Sequence, residues 1–273
     1  MNNPTVYFLQ LLAKYPDYRI LRYNTFNIGY KDSDSIRYNT ICNDFPTPDT
    51  KAFRFCDMGE VEYVIFCAFL NSLFAQTIET LSIGWTSNFH DCKKPTATEE
   101  WCFDITRAVE RLGQTKLPNL KSLALGEYYL LCNAHEVYGR LGDVTQVLQQ
   151  NSHIEVLELS GVFELQHPIS FKQLKNFTLC FEDPIIQMSF GGISNQTWQN
   201  IMNSDMPSLI EADISLVFEN APDFTFNERF LNKETFPKLE RLYFSSSLTD
   251  DEWKKIEQSK LAQTTELFIE KIR

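Results

Sequence analysis

"LPNLKSLAL", residues Leu117 to Leu125, decides how this chain is read. Its apolar residues fall at Leu117, Leu120, Leu123 and Leu125, and the last pair alternates with a polar-compatible position as a half-buried strand does. The same four-position template recurs. "FKQLKNFTL" carries it at Phe171, Leu174, Phe177 and Leu179, and "FPKLERLYF" at Phe236, Leu239, Leu242 and Phe244. "NSHIEVLEL" keeps the last three positions at Ile154, Leu157 and Leu159, while "MPSLIEADI" fits with Met206, Leu209, Ala212 and Ile214. Weaker copies are "AQTIETLSI", with Ala75, Ile78, Leu81 and Ile83, and "LAQTTELFI", with Leu261, Leu267 and Ile269. Three copies share a proline after the first apolar residue, at Pro118, Pro207 and Pro237. A pattern repeated this often dictates the fold.

Between the copies lie stretches with helical character: Met58 to Gln76, Ala97 to Gln114, Gly142 to Asn151, Ser194 to Asp205 and Thr249 to Lys260. Thr249 with Glu252, and Thr96 with Glu99, have the spacing of a capping box. The copy at Phe171 is reached through Pro168 with no evident helix. Each unit therefore contributes one short strand and usually one helix, neither of which can bury its apolar face alone. Stacked units predict an α/β architecture with a parallel sheet on the inner side, helices outside, and the template residues forming the core between them. The uneven spacing of equivalent positions predicts an irregular stack with long outer loops.

These blocks resemble leucine-rich-repeat proteins over residues 58–273. More narrowly, "IETLSIGW", "LPNLKSLALGE", "GDVTQVLQQNSHIEVLELSG", "GGISNQTWQNIMNSDMPSL" and "FPKLERLYF" are similar in order to a small bacterial leucine-rich-repeat family. The resemblance implies a solenoid with a concave parallel sheet; the family has no assigned enzyme activity, so it implies fold much more than function. The chain departs from the pattern by placing phenylalanine at leucine positions and by lacking a consensus asparagine after the strands. Residues 1–57 do not follow the repeat: "YRILRYNTFNIGY" alternates like a strand, "NDFPTPDT" reads as a loop, and the region is expected to cap the solenoid end.

Composition narrows the partners. Hydrophobic residues make up 43% of the 273 positions, with 22 phenylalanines and 11 tyrosines, so an aromatic-rich core is expected. The formal net charge is −11 and the isoelectric point about 4.9. Such a field disfavours nucleic acid and anionic membranes and favours a basic protein partner. The apolar run Val64 to Leu70 is too short to span a bilayer, and the N-terminal stretch lacks the basic residues of a signal peptide. Seven scattered cysteines with no C-x-x-C pair indicate neither a zinc cage nor a disulfide framework. A cytoplasmic protein with reduced thiols is expected.

Residues between the template positions point to the concave face. The position between the last two apolar residues reads Ser82, Ala124, Glu158, Thr178, Asp213, Tyr243 and Phe268 along the repeats. The column beside it reads Thr80, Ser122, Val156, Asn176, Glu211, Arg241 and Glu266. The first half of this face is small and neutral, the second acidic and aromatic. The candidate protein-binding residues are Glu158, Asn176, Thr178, Glu211, Asp213, Arg241, Tyr243, Glu266 and Phe268. Carboxylates on neighbouring strands, ~4.8 Å apart, are expected to repel one another and await a basic partner. The plainer alternative is that they only solvate an exposed sheet.

Catalytic signatures are weak. His90, Asp91 and Cys92 bring nucleophile, base and acid types together, but neighbours in an extended segment point to opposite sides. His135 near Cys132 is a poor metal pair, and no phosphate-binding glycine loop, nucleophile elbow or zinc-protease motif is present. Trp198 and Trp253 read as packing residues. The expectation is a non-catalytic binding module without a cofactor, in concrete form an immunity or antitoxin protein that neutralises a basic toxin. A scaffold or adaptor, a secreted effector, and an enzyme whose site assembles across repeats remain the alternatives.

Overall fold

The template residues enter their strands through a shared turn. In the computed structural model, the Leu120 N–H donates to the Leu117 carbonyl at 3.1 Å, Leu209 to Met206 at 3.1 Å, and Leu239 to Phe236 at 3.0 Å. The intervening Pro118, Pro207 and Pro237 sit exposed at the second turn position, where the fixed φ of proline suits the geometry. The unit at Asn151 makes the same closure without proline, Ile154 donating to Asn151 at 3.2 Å. The structure describes residues 3–16, 19–22, 25–28, 45–56, 58–85, 103–126, 139–182, 193–217, 225–246 and 248–271.

After each turn the chain extends. Strands β1 (Arg19–Arg22), β2 (Thr25–Ile28), β3 (Ala52–Cys56), β4 (Thr80–Trp85), β6 (Ser122–Leu125), β8 (Val156–Ser160), β10 (Asn176–Glu182), β11 (Glu211–Val217), β12 (Arg241–Ser246) and β13 (Glu266–Lys271) form one ten-stranded sheet in that order. From β2 onward every pairing is parallel, and β1 closes the first edge antiparallel to β2. The register aligns the templates: Leu123, Leu157, Phe177, Ala212, Leu242 and Leu267 form one cross-strand row, and Leu125, Leu159, Leu179, Ile214, Phe244 and Ile269 another. Both rows are buried up to β12, and Leu267 and Ile269 are half-buried.

A second, three-stranded parallel sheet joins β5 (Phe103–Asp104), β7 (Gly139–Asp143) and β9 (Val162–Glu164), which lie outside the repeat template. It changes two helical expectations. Phe103 and Asp104 are strand, and helix α4 starts only at Thr106 (Thr106–Gly113); Gly142 and Asp143 are strand, and α5 starts at Thr145 (Thr145–Gln150). The physical reason is the same in both. Asp104 Oδ1 accepts from the Thr106 N–H and Asp143 Oδ1 from the Thr145 N–H, each at 2.9 Å, so the carboxylate at the strand end satisfies a donor that the first helical turn leaves open. Thr96 and Glu99 lie outside the described residues.

The remaining helices are α1 (Pro4–Lys14), α2 (Glu60–Leu70), α3 (Leu73–Thr77), α6 (Asn195–Met202), α7 (Glu228–Leu231), α8 (Asp250–Glu257) and α9 (Lys260–Thr264). Ser194, Asn227, Thr249 and Ser259 cap α6 to α9, each side-chain oxygen accepting from a first-turn N–H. Phenylalanine and tryptophan fill much of the core at both ends of the sheet. Phe8 of α1 packs edge-on against Phe69 and Phe74 and tilted against Phe53, with centroids 5.7 to 6.4 Å apart. At the other end Trp198, Phe226, Phe230, Phe236, Phe244 and Trp253 form a second chain of aromatic contacts, with both tryptophans buried.

Units are also tied by buried polar side chains. Asn151 is fully buried; its Nδ2 donates to the Val147 carbonyl at 3.0 Å and its Oδ1 accepts from the Leu117 N–H, in the preceding unit, at 3.1 Å. Ser204 accepts from Ile169, and Thr197 from Leu165, across later units. Gly126 ends β6 at φ +84°, where an added Cβ would lie 1.9 Å from the Ser160 carbonyl oxygen.

Two outcomes are expected by denaturant unfolding. Asn151→Ala leaves the Leu117 N–H buried without an acceptor and lowers stability by about 2 kcal/mol. Gly126→Ala combines backbone strain with a main-chain clash and costs more than about 2 kcal/mol; an unchanged midpoint would refute the stacking distance.

Candidate protein-binding face

Strand alternation leaves one face of the sheet uncovered by the core. On it the register sets Ser82, Ala124, Glu158, Thr178, Asp213, Tyr243 and Phe268 side by side in one row. Thr80, Ser122, Val156, Asn176, Glu211, Arg241 and Glu266 form the neighbouring row. All nine candidate residues therefore lie on two adjacent rows of one surface.

The middle row continues further than the repeat template indicates. Arg54 pairs with Ser82, so β3, drawn from the first 57 residues, places a half-buried guanidinium at the neutral end of the face. The signal was present in "AFRFC", which alternates around Phe53 and Phe55 as the template strands do, without the leucines that define them.

The expected repulsion between adjacent carboxylates is corrected by this geometry. Thr178 stands between Glu158 and Asp213 in one row, and Arg241 stands between Glu211 and Glu266 in the other. Arg241 Nη2 reaches Glu211 Oε2 at 2.9 Å, so Glu211 is neutralised within the face. Each row thus interleaves its acids with a neutral or basic residue, and no two carboxylates stand opposite one another on neighbouring strands among the nine.

At the strand entrances runs a separate ladder of alternating charge: Lys51, Glu79, Lys121, Glu155 and Lys175 follow one another across the sheet. Lys121 Nζ lies 2.6 Å from Glu79 Oε2 and Lys175 Nζ 2.6 Å from Glu155 Oε2. The ammonium of Lys121 holds the Glu79 carboxyl below its ordinary pKa, and Lys175, helped by Lys121, does the same to Glu155. Glu79, with Glu155 adding to it, raises Lys121. Glu155 therefore belongs to the ladder and not to the face.

What gives the face its chemistry is aromatic. The rings of Tyr243 and Phe268 stack with centroids 4.6 Å apart and planes within 7°, and they are 36% and 43% exposed. Beside them an open groove of about 380 Å³ is lined by Asn176, Phe177, Thr178, Glu211, Asp213 and Tyr243. Val156 adds a further exposed apolar side chain in the outer row.

Other sequence candidates fall elsewhere. His90, Asp91 and Cys92, and Cys132 with His135, lie outside the described residues. Among the described residues no group of three or more His, Cys, Asp or Glu side chains is placed to hold a metal, and no helix is long and apolar enough to cross a membrane. Cys180 is buried and Cys67 half-buried, and neither forms a disulfide.

No protein-family model and no curated protein matches this chain. A crystal structure of a Bacteroides fragilis protein is similar to it at 15% identity and a TM-score of 0.48; the match covers 79% of this chain and 58% of that one.

The charge ladder sets a pH dependence. Because Glu79 and Glu155 are lowered in the folded state, their stabilisation is present above the ordinary carboxylate range and is lost as pH falls through their lowered values. Lys121→Met is expected to lower the thermal midpoint at neutral pH, with the difference shrinking in high salt and vanishing in acid. A difference that persists at acidic pH would show that Lys121 acts through packing.

Proposed function

We propose that the chain is an irregular leucine-rich-repeat solenoid, capped by residues 1–57 and continued by repeats over residues 58–273, that acts as a non-catalytic protein-binding module. In-register parallel strands that follow one another in chain order, four of them (β6, β8, β11 and β12) preceded by the same turn, support the solenoid reading.

The binding reading is carried by the exposed Tyr243–Phe268 stack in the same row as Glu158 and Asp213. Two large rings left in water forgo the burial that every other described aromatic cluster in the chain obtains. Rigid aromatics are enriched at interface centres, where a partner desolvates the rings, and the carboxylates in the same row favour a partner of basic charge. A net charge of −11 adds long-range attraction for a basic protein. In its concrete form this is an immunity or antitoxin protein that occupies a basic toxin through the concave face.

Affinity capture from the source organism tests the reading with the wild-type chain and a Glu158→Lys/Asp213→Lys variant, both checked for folding by circular dichroism. A basic protein captured by the wild type and weakened at least about tenfold by the variant is expected. An undiminished affinity in the folded variant removes this face from the function. A toxin encoded beside this gene whose action co-expression fails to relieve removes the immunity role.

A further inference from the structure

We infer that the outer edge of β13 is a strand-addition site, where an extended segment of the basic partner joins the ten-stranded sheet. This deepens the protein-binding reading above and rests on it.

The strand order ends at β13, which pairs with β12 alone among the described strands. The Glu266 N–H donates to the Glu240 carbonyl at 2.8 Å, so alternate residues from Glu266 onward turn their main chain toward β12. Leu267 and Ile269 turn theirs outward, N–H and carbonyl both, as a template for another strand.

Three side-chain rows stop at this edge before they are complete. In β12 Leu242 and Phe244 are buried, whereas their row partners Leu267 and Ile269 are only half-buried. On the face, Phe268 stacks on Tyr243 with centroids 4.6 Å apart. That is close to the ~4.8 Å between strands, so the stack runs in the direction in which strands are added. Tyr243 covers one side of the Phe268 ring, and the other side looks off the sheet and leaves the ring exposed. One further strand finishes all three rows with two apolar residues and an aromatic ring between them.

Charge decides which strand fits. Glu266 and Glu270 stand two residues either side of Phe268 on the same face, both exposed. Arg241, the cross-strand neighbour of Glu266, pairs with Glu211, and Lys271 pairs with Glu257, each at 2.9 Å. Charged residues on an edge keep unwanted strands away, and a pair of acids turns away acidic ones. A second copy of this chain is disfavoured on that ground. In-register parallel pairing sets each glutamate against itself, and antiparallel pairing about Phe268 sets Glu266 against Glu270. The strand that fits reads basic, apolar, aromatic, apolar, basic. That order is the same from either end, so it serves both strand directions.

The test adds a blocked Lys-Val-Phe-Val-Lys peptide to the full chain and follows amide hydrogen exchange by NMR. A Glu-Val-Phe-Val-Glu peptide is the charge control, and a fully N-methylated Lys-Val-Phe-Val-Lys peptide is the backbone control. At millimolar concentration the lysine peptide is expected to slow exchange at the Leu267 and Ile269 amides by about tenfold, and neither control to do so. The Phe268 amide, which faces β12, is expected to change little. Phe268→Ala is expected to weaken the protection, and Glu266→Gln/Glu270→Gln to narrow the preference for lysine over glutamate, with thermal midpoints unchanged. A peptide that binds without protecting Leu267 and Ile269 lies on the face and overturns strand addition. Equal protection by the lysine and glutamate peptides overturns the basic assignment. Protection that appears without peptide and rises with protein concentration places a second copy at the edge and overturns it as well. No protection by any peptide overturns the site; the captured partner and the Glu158→Lys/Asp213→Lys variant then still decide the wider reading.

Discussion

Every part of this structure depends on one constraint: a short strand with alternate apolar residues can hide them only if its neighbour presents the same residues at the same height. A shift of one residue would turn Leu157 and Leu159 to water and Glu158 into the core. Before β6, β8, β11 and β12 a turn sets that height. The closure from Leu120 to Leu117, repeated at Ile154, Leu209 and Leu239, starts each of these strands at the same point relative to its template. Once the core rows are aligned, the residues between them are aligned too. Glu158, Asp213, Tyr243 and Phe268 share a row because Leu157, Ala212, Leu242 and Leu267 share one.

The same constraint shapes the ends and joints of the stack. At the first edge β1 runs antiparallel to β2, while Phe8, Leu11 and Leu12 of α1 are buried in the hydrophobic core. Between units, main-chain groups that leave the sheet still need partners, and buried side chains of Asn151, Thr197 and Ser204 supply them. These residues stand on or just after helices, so the joint is made on the side away from the face. The face is then free of structural duty at Tyr243 and Phe268, whose rings are exposed without opening the core beneath them.

Much of this was legible along the chain because a period of two is a local property. The strand alternation, the helix starts at Ser194 and Thr249, and the membership of both face rows follow from residues within a few positions of each other. The second sheet was not legible in the same way. Phe103–Asp104, Gly139–Asp143 and Val162–Glu164 are too short, and too rich in glycine and charge, to show a period. The first two shared a signal of another kind, an aspartate two residues before a threonine, at Asp104 and Asp143, which marks a strand end and a helix start together. Arg54 was hidden for a related reason, since its strand is preceded by Thr47 and Thr50 where the template carries two apolar residues.

By itself the sequence determined that apolar residues recur with strand spacing, that units of strand and helix must stack to bury them, and which residues are left facing outward. It determined these because burial depends on residue type and order. Only the tertiary structure decided which outward residues meet. Arg241 neutralises Glu211, Thr178 separates Glu158 from Asp213, and Phe268 braces the Tyr243 ring against an open groove. Those relations join residues some 30 positions apart in the chain, and they depend on strand order and side-chain geometry, which appear only when the units are stacked.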